Sequence, residues 1–352
     1  MLKRANLTLW LSALPLWLLV QYAKENPSFT EQYYSQFLYP WVFKLHQWVF
    51  DLLPFSYGDV LYLVFILFGV RLIKNKIKHW WIKPWSFIYD SVAGIILVLW
   101  IFHLSWGFNY YRESLSEQYN ISTKYSEDEL THGLNQLIKK ANELHKELVS
   151  SDSLPVKATN SKSFFLNNTR VHHPTQPAMT IESSKVKKSL FSLPLSYMGY
   201  AGYLNPLTLE SQVNSKMPTL NLVTTLLHET AHQMGYASEK EANFIAYRSA
   251  IKNDNPYIRY AGYTFALRYF YSELSKANEP KADELAKKIN PGVLKNFREA
   301  TEFWEKYDNP FEVIFDKTYD TYLKANGQSS GIKSYNEMVG LVINYHEHIE
   351  AF

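Results

Sequence analysis

Thr224 to Tyr247 reads TTLLHETAHQMGYASEKEANFIAY, and the fold turns on how this stretch is read. His228 and His232 stand four residues apart, which on a helix puts both imidazoles on one face and within reach of one ion. Glu229 follows the first histidine directly, beside such an ion but turned away from the pair, where a carboxylate can orient and deprotonate a water. The apolar run Leu220, Leu222, Val223, Leu226 and Leu227 leads in and predicts a buried helix. Met234-Gly235 comes next, and Gly235 can take the left-handed conformation that ends a helix and turns the chain back. A second helical run begins at Ser238. The stretch therefore predicts helix, tight turn, helix, a layout that returns a third ligand over the first two.

The candidates for that ligand are Glu239 and Glu241. A catalytic zinc takes three protein ligands and keeps one position open, and two histidines with a glutamate form a suitable set for Zn2+. Glu241 has another use, because Ser238-x-x-Glu241 is a capping box that returns its carboxylate to the Ser238 amide. Glu239 is preferred for that reason, with Glu241 as the alternative. Asn243, one turn beyond Glu239, can hold a ligand by hydrogen bonding from outside the ion's own shell.

HETAH followed by Glu239-Lys240-Glu241-Ala242-Asn243 resembles the glutamate-zincin metallopeptidases, in which a second helix carries E-x-x-A-D or E-x-x-A-N. The resemblance implies His228, His232 and Glu239 as metal ligands, Glu229 as general base and a peptide or protein substrate. The separation from His232 to Glu239 is shorter than in many such families. A longer likeness is to an uncharacterised family of bacterial membrane proteins, the domain of unknown function 3810. It is carried by PFSYGD at 54–59, WGFNYYR at 106–112, GYLNPLTLESQVN at 202–214, HETAHQMGYASEKEANFIAY at 228–247 and YLKANGQSSGIKSYNEMVGL at 322–341. It implies membrane segments and a zincin-like domain more than it implies a substrate.

A chain of 352 residues has room for a membrane region and one domain with a sizeable core. A net charge of +3 is too small for a nucleic-acid binder, and no basic-aromatic recognition motif reverses that. With Cys 0, disulfides and thiolate ligands are excluded. The aromatic share of 16% is of the kind found where a chain meets lipid headgroups.

Hydropathy predicts a multi-pass membrane region over 1–111, with three transmembrane helices at about 7–22, 57–72 and 87–108. Lys3 and Arg4 ahead of the first run make a signal peptide its rival, but Gln21, Tyr22 and Lys24 leave no small-x-small cleavage site, so an uncleaved anchor is preferred. Residues 27–56 read as an interfacial stretch with Trp41, Phe43, Trp48, Phe50, Leu52 and Leu53 on its membrane side, with a helix packed on the next domain as the alternative. Arg71, Lys74, Lys76, Lys78 and Lys83 between the second and third spans place that loop in the cytoplasm. Three spans then put residues 112–352, a mainly helical α+β zincin-like metallopeptidase domain, on the extracytoplasmic side of a bacterial inner membrane. Asp90 and His103, in or near the third span, are read as an interfacial carboxylate and a neutral hydrogen-bonded imidazole.

In that domain Glu127 to Leu148 carries a helical apolar stripe, with Thr123 or Ser126 as its cap, the latter through Ser126-x-x-Glu129. Residues 150–185 are polar and loop-like, and Arg170, His172 and His173 there are surface residues or substrate contacts. Short strands or a meander fit SYMGYAGYL. The zincin resemblance implies that this region forms the cleft wall, an edge strand beside the motif helix taking a peptide main chain by strand addition. Tyr335 is the first candidate for oxyanion stabilisation and Arg259 the second. The expected function is a membrane-anchored zinc-dependent metallopeptidase. The alternatives are a catalytically degenerate structural or regulatory membrane protein and a zinc hydrolase of cell-envelope peptide material. The oligomeric state is not legible.

Overall fold

The computed structural model describes residues 2–172, 174, 180–182 and 186–352, without the side chains of 2–5, 76, 79, 80, 172 and 180–182. His173 lies outside the described residues, as does the side chain of His172. The chain divides into two compact units. The first comprises Met1–Glu113 with Asn205–Glu210, the second Ser114–Leu204 with Ser211–Phe352.

The first unit is helical: α1 (Leu2–Glu25), α2 (Pro27–Phe29), a π-helix (Thr30–Leu38), α3 (Tyr39–Phe50), α4 (Tyr57–Ile82), α5 (Pro84–Ser105) and a 3-10 turn (Gly107–Tyr111). The expectation of three spans is corrected here. Among the described residues one helix, Pro84–Ser105, is long and apolar enough to cross a membrane. The reason lies in α4, which does not stop where its apolar run stops. It continues through Arg71, Lys74 and Lys78 to Ile82, so the expected cytoplasmic loop is helix. Val60 to Val70 covers only about 16 Å at helical rise, against a hydrocarbon core of about 30 Å. In α1 the run from Leu7 to Val20 reaches about 21 Å and is interrupted by Thr8 and Ser12. The multi-pass inner-membrane topology, and the extracytoplasmic placement that counted three spans, lose their basis with it.

α1 packs on α5 through polar as well as apolar groups. Trp100 Nε1 donates to Ser12 Oγ at 3.0 Å, Asn6 Nδ2 to Asp90 Oδ1 at 2.7 Å, and Trp10 stacks on Tyr89 at 5.7 Å. His103 is buried, its Nδ1 2.8 Å from the Leu99 carbonyl. The stretch 27–56 exposes Trp41, Trp48 and Leu52 but buries Phe43, so Phe43 leaves the expected outer face. The π-helix turns Glu31, Tyr34 and Ser35 inward. There the Glu31 carboxylate takes both Nε and Nη2 of Arg112, at 2.7 and 2.6 Å, in a buried two-point ion pair. Glu210 closes the unit, its carboxylate accepting the Tyr57 and Gly58 amides at 3.1 and 2.6 Å, at the N-terminus of α4 where a negative charge is favoured.

The second unit contains α6 (Leu115–Tyr119), α7 (Glu127–Leu148), α8 (Lys162–Asn168), β1 (Arg170–His172), β2 (Thr180–Glu182), β3 (Val186–Lys188), α9 (Ser192–Tyr197), β4 (Gly202–Leu204) and β5 (Ser211–Val213). Then follow α10 (Thr219–Gln233), α11 (Glu239–Ile251), α12 (Pro256–Ala277), α13 (Glu279–Ala286), α14 (Pro291–Glu305), α15 (Glu312–Ala325), a 3-10 stretch (Gly331–Glu337) and α16 (Met338–His348). α7 starts at a complete Ser126/Glu129 capping box and buries Leu130, Leu134, Leu137 and Ile138, the stripe its period predicts. The expected loop 150–185 holds structure: Ser161 Oγ caps α8, whose Phe165 and Leu166 are buried, and β1 pairs antiparallel with β2, Arg170 opposite Glu182. SYM in SYMGYAGYL ends α9 instead of forming strand, and Gly199 at φ +74° turns the chain toward β4.

The sheet that flanks the motif has order β3-β5-β4. β3 runs parallel to β5, with Val186 opposite Ser211, and β4 antiparallel, with Gly202 opposite Val213. β4 is therefore an edge strand. Tyr247, Phe270, Leu226 and Leu227 stand in the core in which α10, α11 and α12 are packed.

Candidate metal centre

α10 is buried all round: Leu222, Val223, Leu226, Leu227 and Ala231 fill the core, while His228, Glu229 and His232 lie buried beside them. The helix ends at Gln233 and Gly235 takes φ +83°, with its amide on the His232 carbonyl at 2.9 Å. That turn lets α11 start at Glu239, over the two imidazoles. Ligand atoms of His228, His232 and Glu239 lie within 4.8 Å of one another, a group that can hold a metal ion.

Which nitrogen each ring presents is fixed by its neighbours. His232 Nδ1 is 2.7 Å from the Tyr236 carbonyl, an oxygen that can only accept, so Nδ1 carries the proton. His228 Nδ1 is 2.7 Å from Asn243 Oδ1. Asn243 Nδ2 donates to the Tyr335 carbonyl at 3.2 Å and to the Tyr269 hydroxyl at 3.3 Å, which fixes the amide orientation and again leaves the imidazole as donor. Both Nε2 atoms therefore face inward, 3.1 Å (His228) and 3.5 Å (His232) from Glu239 Oε2. That oxygen is buried without a hydrogen-bond partner. Two inward imidazole nitrogens meeting an unsatisfied carboxylate oxygen need a positive centre between them, and a proton or a divalent ion supplies it. The residues fit a zinc-type ion: two neutral imidazoles held by outer hydrogen bonds and one carboxylate.

Residues 34–343 match the family described as Protein of unknown function (DUF3810). The chain belongs to that family. No curated protein and no solved structure matches it. For a DUF3810 chain the zincin likeness thus rests on the short motif alone, and the chemistry has to be argued from the geometry.

Glu229 stands outside the ligand group, although its carboxyl feels the charges of His228, His232 and Glu239. Its carbonyl accepts the Ser211 hydroxyl at 2.7 Å, tying α10 to β5, and its Oε2 is buried with no partner. Its other oxygen lies so close to Gly202 that a Cβ there would come within 2.7 Å of Glu229 Oε1 and 2.7 Å of the Gln212 carbonyl. Glycine in the edge strand is what admits the carboxylate. Burial pushes the Glu229 carboxyl up to about 7, against the lowering effect of His228 and His232. Burial alone would lower His232, but the facing Glu239 carboxylate outweighs it and, in the metal-free protein, raises the imidazole to about 9. Glu239 is held well below the usual carboxylate range: both histidines overcome its own burial.

Glu241 does not join the cluster. Its Oε1 accepts the Leu115 amide at 2.8 Å, and Ser238 makes no side-chain cap, so the carboxylate serves α6 and not the expected capping box. Tyr335 stacks on the His228 ring at 5.9 Å and 10°, with its hydroxyl 3.3 Å from that of Tyr319. Arg259 is elsewhere, donating to the Asn253 and Asp254 carbonyls and lying 3.8 Å from Glu147, so the structure does not bring it to the cluster. Sequence reasoning missed three residues here. Tyr319 donates to Glu239 Oε1 at 2.7 Å, Gln328 Oε1 accepts the Glu239 amide at 3.1 Å, and Gly202 borders Glu229. None sits at a motif spacing; only Gly202, one of two glycines in an expected strand, carried a signal of close approach.

Proposed function

We propose that this chain is a zinc-dependent hydrolase of peptide bonds, with Zn2+ held by His228, His232 and Glu239, Glu229 as general base and Tyr335 as the oxyanion donor. The observation that carries the reading is the pair of inward Nε2 atoms facing the unsatisfied Glu239 oxygen, with a second unsatisfied carboxylate, Glu229, alongside. Zinc in such a set acidifies an adjacent water and polarises a carbonyl. The protein's own groups do the rest. Glu229, with a carboxyl near 7, can take a proton at neutral pH and return it to a leaving amine. Burial and the neighbouring Glu239 push the Tyr335 phenol well above its usual value, so it stays a hydrogen-bond donor for developing negative charge. β4, an edge strand beside Glu229, can align a peptide through main-chain hydrogen bonds, which do not depend on side-chain identity. One helix, α5, is apolar enough to anchor this activity in a membrane.

The test pairs elemental analysis with turnover on a peptide mixture and, separately, on cell-wall peptides. Wild type should bind one zinc, His228→Ala should lose metal and activity, and Glu229→Gln should keep metal while turnover drops roughly 10²–10⁴-fold. Unchanged turnover in Glu229→Gln removes the general base from the account. A wild-type protein that takes up no divalent ion removes all of it.

A further inference from the structure

The buried Tyr319–Glu239 hydrogen bond has a consequence for the metal site proposed above, and the inference rests on that reading. We propose that Tyr319 holds Glu239 as a one-oxygen ligand and thereby keeps a coordination position free for water. A carboxylate can bind zinc through one oxygen or two. With two imidazoles already in place, two carboxylate oxygens would complete a tetrahedron and close the site, whereas one leaves the open position that hydrolysis requires. In this chain the oxygens are divided between partners. Oε1 accepts the Tyr319 hydroxyl at 2.7 Å, and Oε2 faces the Nε2 atoms of His228 and His232 at 3.1 and 3.5 Å.

The phenol is not free to swing away. Its ring lies against Tyr200 at 5.7 Å and stacks on Tyr322 at 6.1 Å, and the Tyr200 hydroxyl is bonded to the Phe315 carbonyl in the same helix, α15. From the other side, the Glu239 backbone is fixed by Gln328, whose Oε1 takes the Glu239 amide and whose Nε2 donates to the Ala237 carbonyl at 3.3 Å. A phenol has one proton. Since that of Tyr319 goes to the carboxylate, Tyr335 supplies the proton of the 3.3 Å contact between the two hydroxyls; Tyr335 also hydrogen-bonds Glu239, so it has to turn its proton away from these partners to donate to a substrate. Tyr319 is thus a positioning residue: it acts through Glu239 and touches no substrate.

The experiment uses the full-length protein with cobalt(II) in place of zinc, so that coordination is read from the visible spectrum without any turnover. Tyr319→Phe keeps the ring packing and removes only the hydroxyl. It should still bind one cobalt, with a visible band altered in intensity and position and no further spectral response to added acetohydroxamate, which needs a vacant position and should perturb the wild-type band. Peptide turnover, measured in parallel, should fall roughly 10–100-fold, the usual size of an outer-shell loss. The metal-free protein should still unfold cooperatively, its melting temperature lowered by no more than the loss of one buried hydrogen bond, which separates this role from a folding defect. Tyr335→Phe, tested beside it, should perturb the cobalt band less than Tyr319→Phe and keep the hydroxamate response, because the 2.7 Å bond to Glu239 Oε1 comes from Tyr319. A wild-type spectrum and hydroxamate response in Tyr319→Phe overturns this inference alone; no cobalt or zinc uptake by wild type overturns it together with the proposed function.

Discussion

Raising the pH should destabilise the metal-free protein and leave the zinc-loaded protein almost untouched. Without an ion, the positive centre at the site is a proton on His232, whose value stands at about 9 against an ordinary 6.5. A base raised on folding contributes its full stabilisation below the unfolded value, and that stabilisation is lost as pH climbs through the folded value. The window is therefore 6.5 to about 9. A rise of this size corresponds to about 3 kcal/mol. In a unit of this length that is roughly 6–12 °C of melting temperature. Glu229 bends the curve the same way, at lower pH: an acid raised from 4.5 to about 7 favours the folded state while neutral and costs stability as it ionises over that interval. Zinc takes the place of the His232 proton, so binding releases it and the loaded site should show no loss across the window. The assay is urea unfolding of chelator-treated and zinc-reconstituted protein in detergent at about pH 6 and about pH 9.5. Metal-free stability that is flat or rising over that range would refute the electrostatic reasoning, since His232 would then not be gaining a proton from its meeting with Glu239.

Three further substitutions probe the surroundings. Gly202→Ala places a Cβ 2.7 Å from both Glu229 Oε1 and the Gln212 carbonyl, so turnover should fall roughly 10²-fold with zinc content intact; measured zinc loss would show that the strand supports the ligands and not Glu229. Asn243→Leu strips His228 Nδ1 of its acceptor and should weaken zinc about 10–100-fold in chelator competition, a change that wild-type affinity would contradict. Glu31→Gln leaves the Arg112 guanidinium buried without its countercharge and should cost about 3–5 kcal/mol by denaturant unfolding of the first unit, with metal binding in the second unaffected.

The local chemistry of the centre was legible because it is encoded locally. An i, i+4 pair on a helix must share a face, a glycine after the helix can reverse the chain, and the next acidic residues must then come back over the pair, so spacing picks out His228 and His232 with either Glu239 or Glu241. The structure groups Glu239 with the two histidines, and the reason given for setting Glu241 aside did not hold: Glu241 is engaged by Leu115, far back in the chain, and not by Ser238. Hydropathy misjudged the membrane region because an apolar run does not say where its helix ends. α4 carries its helix on through Arg71 and Lys78, and among the described residues only α5 keeps an apolar surface over the length a bilayer needs.

What tertiary structure alone decided is the set of groups that reach the centre from far along the chain. Tyr319 lies in a helix remote in sequence, among 26 tyrosines that composition cannot rank, and Gly202 belongs to a three-residue strand with no helix period to mark it. Sequence spacing orders only groups that share one regular element. Which phenol meets which carboxylate oxygen, and which strand edge admits Glu229, depends on the packing of α15 and β4 against α10 and α11, and no local pattern contains that.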